Sequence, residues 1–134
     1  MRKAAAAHIR LGRSGELAAI RFLRRKGFEI LGHDVKLSSA EIDIIARDGG
    51  TFVLVEVKTI RYRPGMSWNP EENYSEQQKI RQFRARKELQ RRFEDADFPF
   101  RHDFIGVLMG RFYPMEIRHV TDFYRYRQKA VPSY

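Results

Sequence analysis

Between Ser14 and Lys26, Leu17, Ala19, Ile20 and Leu23 fall mostly on one side of a helical wheel, and Arg21, Arg24, Arg25 and Lys26 cover the rest. Ser14 is the N-cap and Gly27 the stop signal that this pattern predicts. The period then changes. Phe28 to Val35 and Glu41 to Ala46 read as strands separated by the polar link Lys36 to Ser39, and Thr51 to Ile60, rich in β-branched residues, reads as a central strand. The segment Arg47-Asp48-Gly49-Gly50 is a hairpin turn, so the two strands it joins pair antiparallel.

Arg61 to Tyr74 carries two prolines and a glycine and has no period, which predicts a long mobile loop. Ser75 and Gln78 then form a capping box that opens a very basic helix, running to about Phe93 with Ile80, Phe83, Ala85, Leu89 and Phe93 as its apolar face. Strands at Arg101 to Met109 and Arg111 to Ile117 follow, joined by a tight turn at Gly110, and Pro114 assigns the last strand to a sheet edge. Residues 1–11 read as a frayed or weakly helical lead-in, and Thr121 to Tyr134 as a tail rich in tyrosine and arginine. The order αβββαββ over 134 residues predicts a single α/β domain, a mixed central sheet flanked by the Ser14 and Ser75 helices.

Charge adds a partner to this outline. Lysine and arginine number 26 against 17 acids, a net of +9, which points to an anionic partner such as nucleic acid or a membrane surface. The absence of cysteine excludes disulfides, thiolate zinc sites and thiol nucleophiles, and fits a reducing compartment, with the cytoplasm expected. His8, His33, His102 and His119 show no pair at metal-ligand spacing. The apolar run Ala4 to Ala7 is too short for a signal peptide, and no stretch approaches the ~18 apolar residues of a membrane span, so a soluble protein is expected.

The candidate chemistry lies in the one net-acidic stretch. Residues 37–60 carry two bases and four acids, within the most strand-like part of a basic chain. Strand alternation puts Glu41 and Asp43 on one face, with Ile42 and Ile44 on the other, and likewise pairs Glu56 with Lys58. Across the hairpin, Asp43 and Glu56 can approach closely, and two such carboxylates repel unless a cation sits between them. Mg²⁺ or Mn²⁺, hard ions that favour oxygen ligands, suit that position. Lys58 beside them could orient a water and offset charge on a phosphate. As bare residue types, the triplet fits a cross-strand salt bridge of Lys58 with Glu56 or Asp43 equally well. Glu16 falls toward the inward stripe of the first helix and offers a third acid aimed at the sheet; alone, it reads as a first-turn acid favoured by the helix dipole.

Gly15-Glu16 on an early helix, "EIDIIA" at Glu41 to Ala46, "VLVEVK" at Val53 to Lys58, a lysine-containing helix after a loop, and "RHD" at Arg101 to Asp103 resemble the YraN-like family of bacterial proteins. That family is similar to the Holliday-junction resolvases of the PD-(D/E)xK nuclease superfamily. The resemblance implies a restriction-endonuclease-like fold and a divalent-metal-dependent deoxyribonuclease, acting on branched or structured DNA in repair or recombination. It maps the catalytic set onto Glu16, Asp43, Glu56 and Lys58, with Asp43, Glu56, the Val57 carbonyl and Glu16 toward Mg²⁺ or Mn²⁺. Lys79, Arg81, Arg84, Arg86, Lys87 and Arg91 are the candidates for phosphate contacts, their alternative being a solvated helix face. A resolvase-like activity implies a homodimer with two sites. The competing readings are a non-catalytic nucleic-acid-binding protein on a nuclease fold and an adaptor that docks a protein through its basic helix and tail.

Overall fold

The computed structural model describes residues 2–38, 40–92 and 99–124. The elements follow the expected order: α1 (Arg2–Arg25), β1 (Glu29–Lys36), β2 (Glu41–Asp48), β3 (Thr51–Arg61), a 3₁₀ turn (Pro70–Asn73), α2 (Glu76–Arg92), β4 (Phe100–Met109) and β5 (Pro114–Val120). They form one five-stranded sheet in the spatial order β1-β2-β3-β4-β5. Only β3 and β4 run parallel, because α2 carries the chain back between them; the other neighbours are antiparallel. Among the described residues, no helix is long and apolar enough to cross a membrane.

Helix α1 corrects two expectations. It begins at Arg2, so Ser14 is interior to the helix and not its N-cap, and residues 2–11, read as a frayed or weakly helical lead-in, are the helix's continuous first turns. Ala4 to Ala7 are the strongest helix formers, and Leu11 packs on the core, which extends the helix backwards from its anchored half. Leu17, expected on the inward face, is 54% exposed; Ala18, Ala19, Ile20 and Leu23 form the buried stripe. The stop at Gly27 is as expected: its φ is +91°, and Phe28 N–H donates to the Leu23 carbonyl at 3.0 Å.

The helices cover opposite faces. Ala19, Ile20 and Leu23 of α1 pack with Ile44, Ala46, Val53, Val55, Ile105 and Val107, whereas Ala85 and Leu89 of α2 pack with Ile42 and Leu54. A third cluster joins Tyr74, Phe104, Val120, Phe123 and Tyr124. The capping box of α2 is formed in both directions, Ser75 N–H to Gln78 Oε1 at 2.9 Å and Gln78 N–H to Ser75 Oγ at 3.1 Å. Ile80, expected on the apolar face, is 48% exposed, and Gln82 takes the inward position. Phe93 lies outside the described residues.

Two glycines mark close approaches that shape the site. A Cβ on Gly15 would stand 1.7 Å from Thr59 Oγ1, so glycine is what lets α1 lie down on the C-terminal half of β3. A Cβ on Gly106 would stand 2.5 Å from Pro70 Cγ. The Arg61 to Tyr74 segment is therefore not unanchored throughout: Pro70 and Tyr74 are buried, and Glu71 pairs with Arg118 at 2.6 Å.

At the sheet edges, β1 bulges by one residue at Leu31, between the pairs Ile30↔Ala46 and Gly32↔Ile45, and β5 starts at Pro114. The β4–β5 turn is longer than expected, with Gly110 N–H donating to the Tyr113 carbonyl at 2.8 Å. Inside β4, the buried Asp103 receives Arg101 Nε (2.8 Å) and a second guanidinium N–H (3.0 Å), His119 Nε2 (2.8 Å) and the Asp122 N–H (3.0 Å). Lys26 Nζ lies 2.9 Å from His119 Nδ1, which extends the network to the end of α1.

Candidate active site

The β2–β3 ladder ends at the pair Ile44↔Val55. One step further, the same register sets Asp43 opposite Glu56, but the Asp43 carboxylate replaces its backbone there, accepting the Val57 N–H at 2.8 Å. β3 continues beyond this point paired with β4, and a cleft opens between β2 and β3. The strict alternation expected around Asp43 breaks as well. Ile44 packs on the α1 side while Ile42 packs with Leu54, Ala85 and Leu89 on the α2 side. Asp43 lies between the two layers: it lines a cavity with Gln78 and Gln82 of α2, and its charge acts on Glu16 of α1.

On the other side, the pairs His33↔Ile44 and Val35↔Ile42 bracket Asp34 against Asp43. Asp34, Asp43 and Glu56 thus form a row of acids across three neighbouring strands. Asp34 holds a left-handed backbone (φ +50°), a conformation aspartate tolerates better than most residues. Glu16 approaches the same row from α1, near enough for Asp34, Asp43 and Glu41 all to raise its pKa. With the helix starting at Arg2, Glu16 lies mid-helix, so the dipole role of a first-turn acid does not apply to it.

A cavity of about 300 Å³ is lined by Ala40, Glu41, Asp43, Glu56, Gln78, Arg81 and Gln82. Gln82 Nε2 donates to Glu56 Oε2 at 3.2 Å. Lys58 lies beside it in a smaller recess with Glu56, Pro70, Tyr74 and Gln78, under the 3₁₀ turn that Gly106 admits. The Arg61 to Tyr74 segment therefore borders the site through its packed end.

The electrostatics record the crowding. Burial pushes Glu56 up to about 8, Asp43 adds to the rise, and Arg81 and Lys58 oppose it. Glu16 is raised to about 8 by burial, by its hydrogen bond to Asp34 and by the charges of Asp43, Asp34 and Glu41. Asp43 is raised to about 6 by burial, against the lowering effect of the Val57 N–H, with Glu41 and Asp34 raising it further. Glu41, placed on the face of Asp43 by strand alternation, lines the cavity and adds its charge to both Glu16 and Asp43. Such a set is an oxygen-rich, hard donor environment short of positive charge. Among the described residues, no three Asp, Glu or His side chains are already gathered at metal-ligating distance.

The six basic residues proposed on α2 divide. Arg81 adjoins the carboxylates. Arg86 stacks over Phe83 at 4.8 Å, and Lys79 lies over the Phe83 and Tyr124 rings at 6.0 and 5.8 Å. Arg84, Lys87 and Arg91 are exposed. Sequence reasoning missed Asp34 and Gln82. Gln82 carries a legible signal, since a polar residue three before Ala85 and seven before Leu89 falls on the buried stripe.

One consequence concerns stability. Free glutamate titrates near 4.5 and folded Glu56 near 8, so between those values the folded chain holds the extra proton, and stability falls as pH rises through that window. Glu56→Gln is expected to stabilise the protein in EDTA at pH 8.5 by roughly 2–4 kcal/mol, with the gain shrinking toward pH 4.5. Thermal melts at the two ends of that range decide this; equal gains at both would rule the coupling out.

This architecture, a mixed five-stranded sheet between two helices with an acid–lysine cluster where β2 and β3 part, is a restriction-endonuclease-like α/β domain. The chain belongs to the uncharacterised protein family UPF0102, the YraN-like family, whose profile matches residues 15–107. It is 33% identical over 116 residues to a UPF0102 protein of Geotalea uraniireducens, covering 84% of this chain and 87% of that one. A UPF0102 protein of Christiangramia forsetii is 32% identical over 121 residues, 90% of this chain and 98% of the relative. A UPF0102 protein of Symbiobacterium thermophilum is 52% identical over 54 residues, 40% of this chain, and the match spans just under half of that relative, 46%.

Proposed function

We propose that this protein is a divalent-metal-dependent nuclease that hydrolyses phosphodiester bonds in DNA, with branched or structured DNA as the favoured substrate class. The observation that carries the reading is the row Asp34, Asp43 and Glu56, joined by Glu16 and held beside Lys58 in a chain of net charge +9. Acids crowded until their pKa values rise are costly in a protein that only binds a polyanion; a site that takes a cation explains them.

In this reading Asp43, Glu56 and the Val57 carbonyl hold Mg²⁺ or Mn²⁺, with Glu16 alongside. When bound, the ion supplies Lewis acidity toward the phosphate and lowers the pKa of water. The chain's own residues do the rest. Lys58 orients the attacking water and offsets charge that develops on the phosphate. Gln82 fixes the rotamer of Glu56, and the Val57 N–H fixes that of Asp43. Arg81, beside Glu56, balances part of the local negative charge and faces the incoming phosphate. A homodimer carrying two such sites is the arrangement that junction cleavage calls for.

A second reading is favoured by the absence of a preassembled three-ligand cluster among the described residues: a nucleic-acid-binding protein that keeps a nuclease fold without chemistry. Incubating purified protein with linear, branched and single-stranded DNA and Mg²⁺ or Mn²⁺ separates the two. Cleavage that EDTA stops supports the nuclease; binding without cleavage of any substrate replaces it with the binding protein.

The exposed residues of α2 supply a further expected result. Replacing Arg84 and Lys87 together by alanine should weaken DNA binding and lower the slope of log affinity against log salt by roughly two, one per lost phosphate contact. Turnover at saturating substrate should change little. An unchanged salt slope would remove this helix face from the interface.

A further inference from the structure

A second concavity, of about 520 Å³, lies on the flank of α1 turned away from Glu16, between that helix and the β4–β5 turn. Its charged lining is entirely basic: Arg10, Arg21, Arg25, Arg61 and Arg111. Among the described residues no carboxylate lines it, and none of these five makes an ion pair with another of them. At its mouth Phe112 and Tyr113 are 76% and 77% exposed, and Leu17, the helix residue missing from the core, is also part of the wall. The chain thus holds five like charges and two large aromatic rings open to solvent, an arrangement that folding alone does not favour.

We propose that this groove is a second nucleic-acid contact surface, taking a single-stranded segment whose phosphates pair with Arg10, Arg21, Arg61 and Arg111 and whose bases stack on Phe112 and Tyr113. The charge complementarity selects a polyanion. The exposed rings select unpaired bases, because in a duplex the base faces are already stacked and only single strands offer them. Arg111 lies 5.3 Å from the centre of the Phe112 ring, the pairing of cation and π-face that suits a stacked base. Arg61 ties the groove to the site, being three residues beyond Lys58 on β3, about 10 Å along the strand. A substrate with paired and unpaired portions can therefore hold its single strand on one flank of α1 while the scissile bond lies in the carboxylate cleft. The inference rests on the reading of the protein as one that acts on nucleic acid.

The test uses the full chain without divalent metal. Fluorescence anisotropy of a labelled oligothymidine measures single-strand affinity for wild type, Phe112→Ala/Tyr113→Ala and Arg21→Glu/Arg111→Glu, and an oligonucleotide carrying 5-iodouracil is photo-crosslinked and mapped by mass spectrometry. The expected result is at least a tenfold loss of single-strand affinity in each double variant, with crosslinks at Phe112 or Tyr113 in wild type. The aromatic pair is solvent-exposed, so its removal leaves the fold intact, and a circular-dichroism melt checks this. Unchanged affinity, or crosslinks confined to α2, would overturn the inference. Loss of binding to anionic lipid vesicles with oligonucleotide affinity retained would reassign the groove to a membrane surface, and a change of oligomeric state alone would reassign it to self-association. If wild type binds no oligonucleotide and cleaves none, the nuclease reading falls with it; if wild type cleaves but the variants bind single strands normally, only the groove assignment falls.

Discussion

Asp43→Asn and Lys58→Ala are each expected to lower divalent-dependent cleavage by at least about a thousandfold while leaving DNA affinity within a few-fold of wild type. The asparagine keeps an oxygen that can accept the Val57 N–H, so the local backbone is retained, but it removes the charge that a cation needs at the junction of β2 and β3. Lys58 is exposed, at the rim of the recess it shares with Glu56, Pro70 and Tyr74, so its loss takes away the ammonium at little cost to the fold. Both variants leave untouched the exposed Arg84, Lys87 and Arg91 of α2, the proposed phosphate contacts. Without metal, Asp43→Asn should bind DNA slightly more tightly, because one negative charge has left a surface that must accept a polyanion. Equal cleavage by wild type and Asp43→Asn would place the activity at another site or in a contaminant.

Asp103→Ala is the largest expected loss of stability, roughly 3–5 kcal/mol, a fall of more than about 10 °C in Tm for a chain of this size. Burial alone would raise the Asp103 pKa, yet hydrogen bonds from His119, Arg101 and the Asp122 N–H hold it below the usual carboxylate range. Removing the carboxylate leaves the Arg101 guanidinium half-buried beside an apolar neighbourhood, with Asp48 at 3.2 Å as its remaining ionic partner. It also frees His119, which holds β5 and the end of α1 to this point. Because the network lies on the α1 side of the sheet, DNA binding by the exposed face of α2 should survive at low temperature. A Tm within 2–3 °C of wild type would show that Asp103 is not the keystone of the network.

Residues with local causes were legible. The capping box at Ser75 and Gln78, the Gly49-Gly50 hairpin and the stop at Gly27 each depend on a few adjacent residues, and each occurs as expected. Asp43 and Glu56 could be placed opposite one another because a tight turn sets the register of its hairpin. Other features depend on partners distant in sequence. The bulge at Leu31 shifts β1 by one residue, and only that shift puts Asp34 against Asp43. Leu17 and Ile80 were assigned inward by hydrophobicity, but the rotation of each helix is set by its closest approach, Gly15 on Thr59 for α1 and Ala85 over Ile42 and Leu54 for α2. Motif residues read only by resemblance, Arg101 to Asp103, contribute a buried ion network on the α1 side through Arg101 and Asp103, while His102 is buried against Phe83 and Tyr124.

An open sheet of five strands has two free borders, and each could template the addition of another chain. Here one border is distorted where β1 bulges at Leu31, and the other begins with Pro114, whose nitrogen has no hydrogen to donate. Edge-to-edge addition of this kind, repeated from copy to copy, is a route to aggregation. The two imperfect borders act as safeguards: each interrupts the even row of backbone groups that an incoming strand would have to match, so copies can meet without zipping their sheets together.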